Sequence, residues 1–191
     1  MKRIVACLLA LALFLSACKA DSGAAFLALA KKEKDLLIRC AEEMRALGRE
    51  RVYAAMEVPG DAETETATGT VTAEPRLVLY QKASDEREEI ADETISETLA
   101  RLGLRLILFQ TASDGRESVI FSTGEEGASG VICGAAYSFD GEPVGWWGRK
   151  ADLKRHKGRF VEINEKGDAW YYAVPLGDGL YYWEKEGALL G

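Results

Sequence analysis

Glycine punctuates the second half of this 191-residue chain: 15 of its 19 glycines lie at or after Gly103. The segments between them are short and rich in β-branched and aromatic residues. Such a pattern leaves little room for helices and favours strands joined by tight turns. Leu104–Ala112 and Glu117–Thr123 flank Ser113-Asp114-Gly115-Arg116. A two-residue Asp-Gly loop there sets Leu108 opposite Phe121 and Phe109 opposite Ile120. Asp140-Gly141 similarly joins Val131–Phe139 to Pro143–Trp147. Phe160–Ile163, Ala169–Val174 and Leu180–Trp183 continue the series, the last two linked through Pro175-Leu176-Gly177-Asp178-Gly179.

The first half reads differently. From Phe26 to Leu47 the apolar residues Leu37, Cys40, Met44 and Leu47 step by three and four, the spacing of one helix face. Asp21 or Ser22 can cap its start and Gly48 its end. Arg51–Val58 alternates as a strand, with a continued helix as the competing reading, and Arg76–Gln81 is a further strand candidate. Between them, Glu63–Ala73 carries Thr64, Thr66, Thr68, Thr70 and Thr72, which one strand would align on a solvated face. Asp85–Leu102 reads as a second amphipathic helix, with acids at its positive end, Ile95, Leu99 and Leu102 as its buried stripe, and Gly103 as its stop. Helix, strands, helix, strands gives an α+β fold: a broad antiparallel sheet or meander with two amphipathic helices packed on one face.

The N-terminus carries an address. Lys2 and Arg3 precede Ile4–Leu15, an uncharged apolar run of 12 residues. A bilayer-spanning helix needs ~20, so the run fits the apolar core of a cleaved export signal. It closes on Leu15-Ser16-Ala17-Cys18. This segment resembles the signal peptide and lipobox of bacterial lipoproteins, whose pattern is Leu, a small residue, Ala or Gly, then Cys. The resemblance implies a diacylglyceryl group on the Cys18 thiol, cleavage before Cys18 and acylation of the new amine, with palmitate-like chains. An ordinary secretory signal with a chance Cys is the alternative. Each buried methylene contributes ~0.8 kcal/mol, so two or more chains hold a protein stably where one holds it marginally. Lys19 after the Cys points to the outer membrane, with the domain facing the periplasm. The resulting organisation is a signal peptide over 1–17, a lipidated tether over 18–25 and one globular domain over 26–191.

Charge and chemistry narrow the function. The formal net charge of -7 becomes -9 once Lys2 and Arg3 are cleaved away. Phosphate backbones require a basic surface, so no nucleic-acid partner is expected. His156 is the sole histidine and lies among Lys154, Arg155 and Lys157, which makes it an exposed basic-loop residue rather than a catalytic base. Neither Cys-x-x-Cys, His-Glu-x-x-His nor EF-hand spacing occurs, so no metal or cofactor is expected. Cys40 and Cys133 either form a disulfide, which the envelope permits, or are buried separately. Trp146 and Trp147 precede a basic run holding Arg149, Lys150, Lys154, Arg155, Lys157 and Arg159. Such a segment suits an anionic envelope component or lipid phosphates, and it equally suits a solvated loop balancing the protein's own acids. The aromatic triplets Trp170-Tyr171-Tyr172 and Tyr181-Tyr182-Trp183 read as core and rim packing, with a ligand platform as the competing use.

The expected function is therefore that of a lipid-anchored envelope lipoprotein with a non-catalytic binding or structural role. Its partners are the membrane, through the anchor, and an anionic envelope component or a protein. The alternatives are a small-molecule sensor or carrier with an apolar pocket between helices and sheet, or an envelope hydrolase using paired carboxylates.

Overall fold

The computed structural model describes residues 22–49, 51–57, 65–66, 69–70, 75–81, 86–124, 131–145, 153–156, 159–163 and 169–186. Its helices are α1 (Ser22–Lys32), α2 (Lys34–Ala46) and α3 (Glu93–Leu102). Its strands are β1 (Arg51–Glu57), β2 (Glu65–Thr66), β3 (Gly69–Thr70), β4 (Arg76–Gln81), β5 (Glu86–Glu89), β6 (Leu106–Thr111), β7 (Glu117–Ser122), β8 (Val131–Ser138), β9 (Lys154–His156), β10 (Arg159–Ile163), β11 (Ala169–Gly177) and β12 (Leu180–Glu186). All but β2 and β3 join one ten-stranded sheet in the order β5-β4-β1-β6-β7-β8-β12-β11-β10-β9. Every pairing in it is antiparallel. The architecture is α+β, a broad antiparallel sheet with its helices on one face.

Strand alternation divides the side chains between two faces. Val52, Ala54, Leu77, Leu79, Ile107, Phe109, Val119, Phe121, Cys133, Ala135, Leu180 and Tyr182 meet the helices and form one continuous core with Leu37, Cys40, Met44, Ile95 and Leu99. Each large side chain fully buried there contributes about 1.5–3 kcal/mol. The opposite, outer face has its own smaller cluster: Ile120, Ala136, Val144, Tyr171, Ala173 and Trp183.

Several local expectations change once packing is counted. The helix expected over 26–47 begins earlier, at Ser22, and breaks at Glu33 into α1 and α2. The Glu33 carboxylate is nearly buried and bonds Arg101 of α3 at 2.7 Å, while α1 packs on β8 and α2 on α3. The tether over 18–25 is correspondingly shorter, because Ser22 to Ala25 belong to α1. The helix expected from Asp85 starts at Glu93, capped by Asp92, whose Oδ1 accepts the Ile95 N–H at 2.8 Å. Residues 86–89 form the exposed edge strand β5 instead. They have no apolar stripe to bury as a helix, and a charged strand suits a sheet edge. Gly103 ends α3 in the left-handed conformation (φ 59°), as read.

The β6–β7 hairpin keeps its Asp-Gly turn but not its register. Leu108 faces Ile120 and Phe109 faces Val119, one residue from the expected pairing. Ala112 N–H bonds the Arg116 carbonyl, which leaves a three-residue loop with Gly115 at φ 82°. That is a turn closed by a left-handed glycine, the usual three-residue solution. Asp140-Gly141 does not join two paired strands; residues 143–145 carry no strand, and β8 pairs with β12. The threonine run is not one strand, because β2 pairs antiparallel with β3 and the chain reverses between them. The Cys40–Cys133 bridge is absent: both thiols are buried, one on α2 and one on β8, and no disulfide joins them. Burial pushes the Cys40 thiol up to about 12, against a lowering hydrogen bond from Thr98. It is therefore unreactive at neutral pH.

Candidate functional site

The outer face is built in two halves. Residues opposite one another across the strands form rows, and one row runs Leu106, Ser122, Gly134, Trp183 and Ala173. In the C-terminal half the Trp183 ring lies over Gly134, where a Cβ would come within 2.6 Å of the indole and 1.9 Å of the Phe121 carbonyl. The indole N–H donates to the Ala135 carbonyl at 2.8 Å, and the Tyr171 ring stacks on it at 6.2 Å. Residues 140–145 cross over this half and are tied down by tyrosine hydroxyls. Tyr171 donates to the Val144 carbonyl at 2.8 Å and Tyr181 to the Gly141 carbonyl at 2.6 Å. Burial pushes the Tyr171 hydroxyl well above its ordinary pKa, so it stays a donor. Asp140 fastens the start of the crossing. Partial burial pushes its carboxyl up, but hydrogen bonds from Ser138, the Glu142 N–H and Arg116 outweigh this and leave it below its usual range.

The N-terminal half of the same face holds a groove of about 510 Å³ lined by Tyr53, Ala55, Glu57, Tyr80, Arg87, Arg105 and Leu106. Its residues follow from strand alternation. Val52 and Ala54 point to the helices, so Tyr53, Ala55 and Glu57 point away; Leu77 and Leu79 do the same for Tyr80. Tyr53 and Tyr80 are direct cross-strand partners with ring centroids 6.2 Å apart. The Arg87 guanidinium lies 5.5 Å above the Tyr80 ring and 3.6 Å from the Glu57 carboxylate. Arg105 closes the end near β7, its stem lying across Gly124, where a Cβ would meet Arg105 Cδ at 2.5 Å. Gly124 sits at φ 70°, so both its conformation and this contact demand glycine. Among the described residues the Arg105 guanidinium has no ion-pair partner. Two aromatic faces, two guanidiniums and one carboxylate around a small apolar floor can bind a ligand.

The sequence-derived candidates are distributed unevenly. Cys18, Trp146, Trp147, Arg149, Lys150 and Lys157 lie outside the described residues. Lys154, Arg155 and His156 form β9, and Arg159 begins β10, so the basic segment is the outermost hairpin of the sheet. His156 is in a strand rather than a loop. Arg155 pairs with Phe160 and Arg159 with His156, so these two exposed arginines project from opposite faces and do not make one patch. The aromatic triplets are not directly opposite in register, since Tyr171 faces Lys185 and Trp183 faces Ala173, and the Tyr171–Trp183 stack is a diagonal contact. Between helices and sheet, Leu37, Cys40, Met44, Ile95 and their neighbours pack as core. Among the described residues a concavity lies on the other face. The groove holds one carboxylate, Glu57, and among the described residues no three His, Cys, Asp or Glu side chains gather to hold a metal.

Sequence reading missed the groove. Its signal was an aromatic residue at an outward position in each of two strands, Arg51–Glu57 and Arg76–Gln81. It becomes a site because those strands are neighbours. No protein-family model matches the chain, and no curated protein or solved structure matches it either.

Proposed function

We propose that this protein is a lipid-anchored envelope lipoprotein whose folded domain works by binding, with the open half of the outer sheet face as its binding surface. The lipobox Leu15-Ser16-Ala17-Cys18 supports the anchor. The observation that carries the binding role is the groove that the described residues leave open between Tyr53, Tyr80 and Arg105, on a face whose other half is sealed.

The geometry supports the combination of the two. Three residues separate Cys18 from the start of α1, a reach of at most about 14 Å when extended. The Phe26 ring sits 6.4 Å from that of Tyr182, and Lys34 bonds the Leu176 carbonyl and Asp178 in the β11–β12 turn. Helix α1 therefore starts toward the end of the sheet where β12 finishes and β8 begins. Row pairing brings Leu106, Ala55 and Glu57 to that same end. An anchored domain would hold the groove close to the bilayer surface. The anionic-surface role of the basic hairpin is secondary here, with Arg155 and Arg159 as its exposed members.

The anchor is tested by mass spectrometry of the N-terminal peptide and by Cys18→Ser. Acyl mass on Cys18 and release of the variant from the membrane fraction are expected. An unmodified Cys18 thiol in cells would remove the anchor from the proposal.

A further inference from the structure

The groove is more specific than a general adhesive surface, and its chemistry narrows the ligand. Its floor is small and apolar, Ala55 and Leu106, and its walls are the two half-buried tyrosine rings. A puckered, saturated ring with C–H groups on its faces packs against such rings, whereas a flexible acyl chain would gain little from their orientation. The charged lining is two guanidiniums against one carboxylate. This local excess of positive charge occurs in a protein whose acids outnumber its bases, 31 to 24. Arg87 is already engaged by Glu57 and by the Tyr80 face. Arg105 is not so engaged, and its stem passes over Gly124, where only glycine leaves it room. A planar guanidinium in that position presents a fork for an anionic oxygen pair. Glu57 remains able to accept a hydroxyl hydrogen at the groove's far side.

We infer that the Tyr53–Tyr80–Arg105 groove binds a carboxylated sugar ring, with the ring against the tyrosines, the carboxylate on Arg105 and a hydroxyl on Glu57. The sugar's source can be a free polysaccharide or the headgroup of a membrane glycolipid, since the recognised chemistry is the same. This inference rests on the domain being a binding module and is independent of the anchor.

The test uses the full chain purified in detergent and titrated with uronic acid oligosaccharides, with neutral glucose oligosaccharides of equal length as the control. Amide chemical shifts at Tyr53, Tyr80 and Leu106 report occupancy. Uronates are expected to bind, and Arg105→Gln should weaken them by ~10-fold or more, as expected for loss of a charge-assisted hydrogen bond. Tyr53→Ala should weaken uronate and neutral sugar alike. Gly124→Ala, which keeps the arginine but displaces its stem, should weaken only the uronate. Comparing soluble uronate with nanodiscs carrying a uronate-headgroup glycolipid separates the two sources. Equal affinity for neutral sugar, or no effect of Arg105→Gln, overturns the assignment. Movement of the same signals by inorganic phosphate or phosphatidylglycerol nanodiscs, with uronates silent, overturns the sugar class but leaves a binding role. A groove silent to every probe overturns both.

Discussion

The two halves of the outer sheet face are continuous in backbone pairing and opposite in fate. Over β8, β12 and β11, Trp183 lies flat across Gly134, Tyr171 stacks on it, and residues 140–145 close the cluster through two tyrosine hydroxyls. Over β4, β1 and β6, Tyr53 and Tyr80 face one another beside Arg87 and Arg105, with a groove between. Tyrosine is used in both halves, yet its hydroxyls tie down a covering segment in one while its rings line a concavity in the other. On the binding role proposed above, the difference separates labour: the covered half supplies stability, and the open half offers surface to a ligand.

That division can be broken by experiment. Trp183→Ala removes the largest side chain of the covered half together with its bond to Ala135, and urea unfolding should show a loss of about 3–5 kcal/mol. Gly134→Ala forces a methyl group against the Phe121 carbonyl and the indole, with an expected loss of about 1–3 kcal/mol or more. Acid should loosen the cover next. The Asp140 carboxyl is held below its ordinary range in the fold, so its contribution is complete above about pH 3.9 and disappears as pH falls through the lower folded value. Unfolding midpoints of the native protein and Asp140→Asn should therefore converge as pH falls through that window, and parallel curves would detach Asp140 from the cover's stability. Tyr53→Ala gives the smallest change, within about 0.5 kcal/mol, because the side chain is half-exposed and lies outside both core clusters. Destabilisation by Tyr53→Ala as large as that of Trp183→Ala would mean the open half is structural after all.

Legibility in the sequence followed the range of the interaction. The strands Arg51–Glu57 and Arg76–Gln81 and the left-handed glycine stop at Gly103 were readable, because alternation and caps are written within a few residues. The start of α3 was misread because acids at 85–89 look like a helix N-terminus until the neighbouring strand β4 is present to pair with them. The β6–β7 register slipped by one because an Asp-Gly pair serves two-residue and three-residue loops alike, and the choice rests on how Val119 and Phe121 fit beneath the helices. Of the basic residues from Arg149 to Arg159 only Arg155 and Arg159 have described side chains, and there one-dimensional spacing misses alternation: strand pairing puts the two on opposite faces.

The amino-acid order alone determined the class of the fold: glycine-bounded β segments late, amphipathic helical periodicity early, and enough apolar residues to bury one face of a sheet. It also carried, at the N-terminus, the pattern that resembles an export and lipidation signal and on which the proposed anchor rests. The tertiary structure alone decided where a ligand could sit. Tyr53, Tyr80 and Arg105 are far apart along the chain, and they converge because β1 pairs with both β4 and β6. Strand order is set by the packing of distant residues against a shared core, and no local pattern encodes it.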